Sequence, residues 1–419
     1  MPSPRRVLIL VENLPVPFDR RVWLEALTLA EAGWKVSVIC PKGERRYTES
    51  YERLDGIDIY RFALPATSTG VFSYLREYAV ALAQTLRLTI KVLRRGGFDV
   101  IHASNPPDLF FIIGLLFKPF GKRFVFDQHD LSPETFAVQF EGRPRVVVFG
   151  IYWALRLLER LTYATSDVVI STNESVKEIA MRRGHVAPER AFVVRSGPDR
   201  DRLYQVPVDE KLRAEKEHLI CYVGVMGLQD GVDYLLRAVH WMVTTQHRDD
   251  FRVVIIGDGD HAPTLKRLTQ ELGLQDVVTF TGRIPDEDLR RYLSTASVCV
   301  SPDPENGLNE HHTMNKVLEY MAMGKPQVAF DLTETRRSAE DAALYATPNS
   351  HEEMGQKILR LLDDPELRTQ LGECGRERIE NGLGWEHTRT ELVRAYEYLS
   401  DGKRSPLETW SARDDSRAA

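Results

Sequence analysis

Cysteine is scarce. Of 419 residues only Cys40, Cys221, Cys299 and Cys374 are present, far apart and without a C-x-x-C pair, so neither a zinc knuckle nor a disulfide framework is suggested and a reducing cytoplasm is the expected setting. Long apolar runs are missing as well. Residues 7–11 are too few for the core of a secretion signal, and 109–117 and 146–155 reach nine and ten residues, about half of what a bilayer span requires. No transmembrane helix is expected. A dense basic stripe is also absent, and with a pI of 6.1 nucleic acid is not an expected partner.

What is present describes a globular chain, with 43% hydrophobic, 28% charged and 9% aromatic residues, enough apolar surface to offset the entropy of ordering. The length exceeds the roughly 250–300 residues at which single cores stop growing, so two domains are expected. The net charge of −6 hides an asymmetry: residues 1–200 carry 28 Lys and Arg against 22 Asp and Glu, the remainder 27 against 39. A basic N-terminal half either meets an anionic partner, such as a lipid surface or a pyrophosphate-bearing substrate, or is a solvated imbalance.

Short β-branched runs, VLILV at 7, VSVIC at 36, VIHA at 100, FVFD at 124, VVIST at 168 and FVVR at 192, alternate with helical-period segments such as 20–32 and 73–94. This alternation predicts parallel βαβ units. A charged stretch, 199–218, reads as a linker, after which LICYVG at 219, RVVIIG at 252, VVTFTG at 277, VCVSP at 298 and QVAFD at 327 resume the pattern. The expected class is α/β, with two Rossmann-like, doubly wound domains over 1–198 and 199–385. A helix over 386–402 and a polar tail over 403–419 follow. Ligand sites are expected at the carboxyl ends of the strands, and an active site in a cleft between the domains.

The most informative segment, 301–329, reads SPDPENGLNEHHTMNKVLEYMAMGKPQVA. It leaves a strand, passes a polar loop with Asn306-Gly307, and enters a helix near Thr313 that Gly324 and Pro326 terminate. A strand-loop-helix junction presents free N–H groups and the positive end of a helix dipole to an anion. Lys316 can place a point charge on a phosphate. Glu319, one step along the helix, can accept hydrogen bonds from the vicinal hydroxyls of a ribose. The plain alternative is a surface Lys–Glu pair worth ~0.2–0.5 kcal/mol.

This segment resembles the retaining glycosyltransferases of family 4, also called glycosyl transferase group 1, which have the two-domain GT-B fold. Many members carry a Glu, seven residues and a second Glu here, then a Met-Ala-x-Gly-x-Pro stretch. Residues 319–326 match the second half, whereas the position of the first Glu holds His311, with Glu310 or the Asn309–Glu310 pair as its substitute. The resemblance implies that Glu319 binds the ribose, Lys316 a phosphate, and the loop with Asn309, Glu310, His311 and Thr313 the sugar and diphosphate. Residues 221–239 resemble the first strand-turn-helix of the family's second domain, where an Arg and a Lys commonly bracket the turn. Here Val225-Met226-Gly227 and Asp230-Gly231 stand instead. That leaves the amides around Gly227 to cradle phosphate, with Lys316 carrying more of the charge and Arg283 as a substitute cation. The Gly-x-Gly of IIGDGD at 255 reads as a tight turn and does not indicate NAD.

In the N-terminal half, FVFDQHDLSPE at 124 places His129 and Asp130 just beyond a strand. By resemblance, His129 faces the donor sugar across the cleft, positioning it and steadying charge at the reacting centre. Asp130 and Glu134 bind acceptor hydroxyls or act as a base, or else Ser132-Pro133-Glu134 simply starts a helix. The family's glycine-rich first loop is replaced by ENLPVPF at 12, and Arg20 or Arg21 beyond it either binds an acceptor phosphate or lies on a solvated helix face. The apolar segment 145–163, with Arg156 and Arg160 on one stripe, is a membrane-interface helix or a domain-packing helix. Asn173-Glu174-Ser175 is a formal sequon that a helix start explains.

The resemblance thus implies a metal- and cofactor-independent transfer of a sugar, of hexosyl or N-acetylhexosaminyl type, from a nucleoside diphosphate sugar. UDP is the expected nucleotide and a glycan or lipid-linked oligosaccharide the expected acceptor. Retention by a front-side mechanism, a role in surface polysaccharide or lipopolysaccharide assembly, and a cytoplasmic place with peripheral contact to an anionic membrane go with it. The rival readings are a UDP-sugar 2-epimerase, a phosphorylase, or a degenerate subunit without turnover, the last motivated by His311 and the absent diphosphate cations.

Overall fold

The apolar runs become the central strands of two sheets. A computed structural model describes residues 5–43, 46–64, 71–139, 144–214 and 216–401; the expected tail over 403–419 and residue 402 lie outside them. By its contacts the chain forms two units. The first comprises Met1–Pro133, Pro144–Val194 and Arg389–Ala419, and the second Glu134–Arg143 and Arg195–Thr388.

The strands of the first unit are β1 (Arg6–Leu10), β2 (Lys35–Pro41), β3 (Tyr51–Leu54), β4 (Ile57–Phe62), β5 (Val100–Ser104), β6 (Arg123–Gln128), β7 (Val168–Ser171) and β8 (Ala191–Val193). Their order is β3-β4-β2-β1-β5-β6-β7-β8. All neighbours run parallel except β3 and β4. That hairpin turns through Asp55 and Gly56, both with positive φ, the Asp-Gly signal of a two-residue turn, which the strand search along the sequence passed over. The inner strands are buried on both faces, as helix-covered parallel sheets are: Leu8, Ile9, Leu10, Phe124 and Phe126 are closed to solvent. The order in which strands are added reverses at β1, which pairs with β2 on one side and β5 on the other. The crevice for a ligand opens at the carboxyl ends on either side of such a point.

The second unit holds β9 (His218–Val223), β10 (Phe251–Ile256), β11 (Val278–Gly282), β12 (Val298–Ser301), β13 (Gln327–Phe330) and β14 (Ala343–Ala346), ordered β11-β10-β9-β12-β13-β14 and all parallel. Its reversal lies between β9 and β12. Both units are therefore Rossmann-like, and the α/β class is as expected. The strand β14 was not among the expected runs, and the charged stretch 199–218 contains a short helix, Glu210–Ala214, before β9 begins. The last helix, Trp385–Asp401, belongs to the first unit from Arg389 onward. Its Leu392, Ala395 and Tyr396 are buried.

Local chemistry accounts for two helix starts that matter below. Asp19 caps the helix Arg20–Glu31 by accepting from the Val22 amide at 3.2 Å. Asn173 accepts from the Val176 amide at 2.8 Å and caps Glu174–Gly184, so the formal sequon is a helix cap. The helix Arg145–Thr165 keeps a bare apolar face, with Val146 84%, Phe149 66%, Trp153 54% and Leu157 58% exposed. No described helix is long and apolar enough to cross a membrane.

Candidate active site

The loops after β9 and β12 meet at the reversal point of the second unit, and the helix Asn315–Ala322 that follows ties them together. The Tyr320 hydroxyl accepts from the Val223 amide at 2.9 Å and donates to the Val300 carbonyl at 3.2 Å, bridging the two strand ends. One turn earlier, Lys316 is buried. Its Nζ lies 2.5 Å from Asp303 Oδ1 and 3.4 Å from Asp230 Oδ1, beside the Tyr222 ring. Burial favours loss of its proton, but Asp303 foremost outweighs burial and holds the ammonium well above the usual lysine range. Asp230 is pushed up by burial against the pull of Lys316. The surface Lys–Glu pair is therefore not what forms: Lys316 points inward to two aspartates, and Glu319 stands 3.5 Å from Arg202.

Asp230 also accepts the Gly227 amide at 3.0 Å through its other oxygen. It thus occupies with its own carboxylate both groups expected to cradle a phosphate, the Gly227 N–H and the Lys316 ammonium. The glycines here are packing requirements. A Cβ on Gly231, whose φ is +62°, would meet the Pro302 carbonyl oxygen at 2.1 Å, and one on Gly257 would meet the Gly224 oxygen at 1.9 Å. The Gly-x-Gly after β10 is thus a turn pressed against the β9 loop.

The substitutes for the missing first carboxylate are engaged structurally. The Asn309 amide donates to the carbonyls of Gln229 at 2.9 Å and Pro304 at 2.8 Å, clamping the two loops. Glu310 Oε2 accepts from the Thr333 amide and hydroxyl at the start of the helix Thr333–Ala339. Half-buried His311 and buried Thr313 flank the same loop. Arg283 is exposed after β11, two strands away from the β9–β12 junction.

The first unit gathers a second set of charges at the end of β6. Arg21 is neither on a solvated face nor open to an acceptor phosphate. It is buried, with Nη2 at 2.7 Å from Asp127 Oδ1 and 3.1 Å from Glu25 Oε1, and Nη1 donating to the Val194 carbonyl at 2.7 Å. Physically, a guanidinium on the inner face of a helix over a buried aspartate is retained by that aspartate, not by solvent. His129 Nε2 hydrogen-bonds Asp127 Oδ2, and His102 Nε2 lies 3.5 Å from both Asp127 and Glu25. Glu25, His102 and Asp127 have the donor set of a metal site, but the Arg21 cation already fills the place between the carboxylates. Asp130 follows β6, and Glu134, which the contacts assign to the second unit, is buried in the helix Ser132–Gln139 that the Ser-Pro-Glu sequence starts.

Sequence reading missed Glu12, Glu25, His102, Asp127 and Asp303. A signal existed for two of them: Asp127 is a lone carboxylate in the apolar run FVFD, and Asp303 sits between two prolines at a strand end. Glu12, just past β1, is buried with Oε1 lacking a hydrogen bond. Burial first, then the charge of Glu77, push its carboxyl up to about 7.

Comparison with known proteins bears on both units. Residues 217–364 match the family described as glycosyl transferases group 1, and residues 19–197 the glycosyl transferase 4-like domain. The alpha-D-kanosaminyltransferase of Streptomyces kanamyceticus is 32% identical over 166 residues, a match covering 39% of this chain and 41% of that one. The MMP alpha-(1->4)-mannosyltransferase of Mycolicibacterium hassiacum is 25% identical over 88% of this chain and 91% of its own. Among solved structures, the sucrose-phosphate synthase of Thermosynechococcus elongatus superposes with a TM-score of 0.77 at 20% identity, covering 95% of this chain and all of that one. Anabaena HepE, solved in complex with UDP-glucose, gives 0.68 at 14% identity, covering 94% and 100%. At such identities the structural likeness shows the fold alone.

The Glu12 carboxyl makes stability pH-dependent. A folded-state pKa raised from 4.5 to about 7 means that the folded chain binds more protons between these values, so its contribution is full below 4.5 and is lost as pH rises through 7. Glu12→Gln removes this loss. In urea unfolding, the stability difference between variant and wild type is expected to shift in the variant's favour by up to about 3 kcal/mol between pH 4.5 and 8. A pH-independent difference would refute the assignment.

Proposed function

The chain belongs to the GT-B glycosyltransferases of the group 1, 4-like type, and on that premise we propose that it moves a sugar from a nucleoside diphosphate sugar to a hydroxyl of a glycan or lipid-linked acceptor. The observation that carries the donor assignment is the buried Lys316 at the reversal point between β9 and β12, with Asp230 across both the lysine and the Gly227 amide. As the glycosidic bond breaks, the diphosphate gains negative charge. A fixed ammonium, a helix N-terminus and a backbone N–H stabilise it more strongly in a dry site than water would. The incoming phosphate replaces Asp230, whose 3.4 Å bond is the looser of the two on Lys316. Glu319, three residues on, takes the ribose hydroxyls. The UDP-glucose complex of the HepE neighbour supports a uridine nucleotide, and retention at the anomeric carbon follows the family-4 resemblance.

The acceptor side is read from the first unit. The bare face of Val146, Phe149, Trp153 and Leu157 lies on a helix packed against Phe111–Phe117, which itself exposes Leu115 and Leu116, and Arg156 and exposed Arg160 stand on the same long helix. An exposed apolar helix face with arginines on the same helix suits an anionic lipid surface, which would present a lipid-linked acceptor and place the protein peripherally on a membrane. Hydrolysis of donor without acceptor is not required by this reading; release of free nucleoside diphosphate should depend on acceptor.

Calorimetric titration with UDP, GDP and ADP is expected to show selective binding of UDP. Lys316→Ala and Glu319→Ala should each weaken it about tenfold or more, the scale of a lost charge-assisted hydrogen bond. Binding indifferent to both substitutions would refute the donor site. For the membrane reading, co-sedimentation with phosphatidylglycerol-containing vesicles should exceed that with neutral vesicles and fall sharply in Phe149→Glu/Trp153→Glu; equal pelleting of variant and wild type would contradict it.

A further inference from the structure

His129 is held on both its backbone and its ring. Its amide and that of Asp130 donate to Asn105 Oδ1 at 2.7 and 3.1 Å, and the Asn105 amide donates in turn to the Asp130 carbonyl at 2.8 Å. The loop after β6 is thereby pinned to the end of β5. The ring then has one adjustable torsion pair, and Nε2 is taken by Asp127. No described protein group takes Nδ1, and the side chain is 15% exposed, so the ring reaches the surface at the carboxyl edge of the sheet, where doubly wound folds bind ligands.

Asp127 is in turn fully buried and over-determined. Arg21 grips it through two nitrogens, at 2.7 Å from Oδ1 and 3.4 Å from Oδ2. His102 flanks it and is itself fixed by the Tyr396 hydroxyl at 2.8 Å from Nδ1, a contact made by the returning C-terminal helix. Burial pushes Asp127 up, but Arg21 and then His129 outweigh it and keep the carboxylate well below its usual range. Glu25 next to it is pushed well above its range, by burial first and then by Asp127. Gripped at both oxygens by a guanidinium that stays charged, Asp127 is an ionised acceptor.

An ionised carboxylate has no proton to give, so the hydrogen on the His129–Asp127 bond belongs to Nε2, and Nδ1 of the neutral ring carries the lone pair. We propose that Asp127 is a positioning residue: it holds His129 as the Nε2–H tautomer, so that Nδ1 accepts a hydrogen bond from a sugar hydroxyl of the substrate. The inference rests on the glycosyl-transfer reading for its ligand and on the geometry of the first unit for its tautomer. The charged and titratable groups around the ring are Asp127 and the neighbouring Asp130, with Arg21, Glu25, His102 and Tyr396 behind Asp127.

The test is 15N NMR of the full chain labelled with 15N-histidine, with the His129 signals assigned by their loss in His129→Gln. At high pH the wild type is expected to show the Nε2–H tautomer. In Asp127→Asn, which removes the ionised acceptor from Nε2, this preference is expected to be lost and the Nδ1–H form to appear. In an acceptor-dependent assay kcat/KM should fall in the same variant. Because Asp127→Asn leaves Arg21 unpaired and can fail to fold, the wild-type tautomer stands as an independent criterion. An Nδ1–H tautomer in wild type, or an unchanged tautomer in a folded Asp127→Asn, overturns the proposal. An Nε2–H ring that loses this preference in Asp127→Asn, in a chain that transfers no sugar from any nucleotide donor, upholds the positioning by Asp127 and removes the transferase reading and with it the hydroxyl ligand.

Discussion

A cation taken out of water must bring its counter-charge with it, because the desolvation of an unpaired ammonium or guanidinium costs several kcal/mol. This constraint shapes both units of the chain. In the second, Lys316 could not lie under the β9 and β12 loops without Asp303, which is itself steadied by the Ser301 hydroxyl, and Asp230. In the first, Arg21 could not face the sheet without Asp127. Everything nearby is arranged around these pairs: Asn309 and Tyr320 clamp the loops after β9 and β12, and Asn105 and Tyr396 fix the surroundings of Asp127.

Buried pairs of this kind seldom outdo apolar residues of the same volume in stability, so the placement of the Lys316 cluster at the reversal point of its sheet is better explained by a ligand than by folding. The two differ in how they would be used. The Lys316 cluster has an internal anion that can be exchanged: Asp230 is bonded to the groups a phosphate wants, and its raised proton affinity lowers the cost of letting go. The Arg21–Asp127 pair is closed off and has nothing to exchange, which suits a scaffold that orients His129. On the proposed reading, an acidic cap that masks the lysine's field until the ligand arrives lets this junction take a diphosphate without the two cations that the resemblance leads one to expect.

Strand-helix alternation and the run from Lys316 to Pro326 were legible in the sequence because both depend on local signals, namely β-branched runs, turn residues and a helix stop at Gly324, which indeed has φ of +59°. The edge strands β3 and β14 were not, since each has four residues and weak apolar patterning, and β4, although buried, has its apolar run broken by Asp58 and Arg61. The roles of charged residues were least legible. Arg21 and Asp127 are 106 residues apart and Lys316 and Asp230 are 86 apart, so only the fold brings them together. Periodicity places Arg21 on a helix but cannot say that its inward face meets an aspartate. For the same reason Asn309 and Glu310, which read as ligand groups by their position in the loop, turn out to hold that loop in shape.

The central claim, that the β9–β12 junction is a diphosphate site opened by displacing Asp230, is tested most directly by a crystal structure of the chain with UDP. The account predicts the terminal phosphate on Lys316 Nζ and the Gly227 amide, Asp230 withdrawn from both, and the ribose hydroxyls on Glu319. UDP bound elsewhere, with the Lys316–Asp303–Asp230 cluster and the Gly227 contact intact, would contradict it.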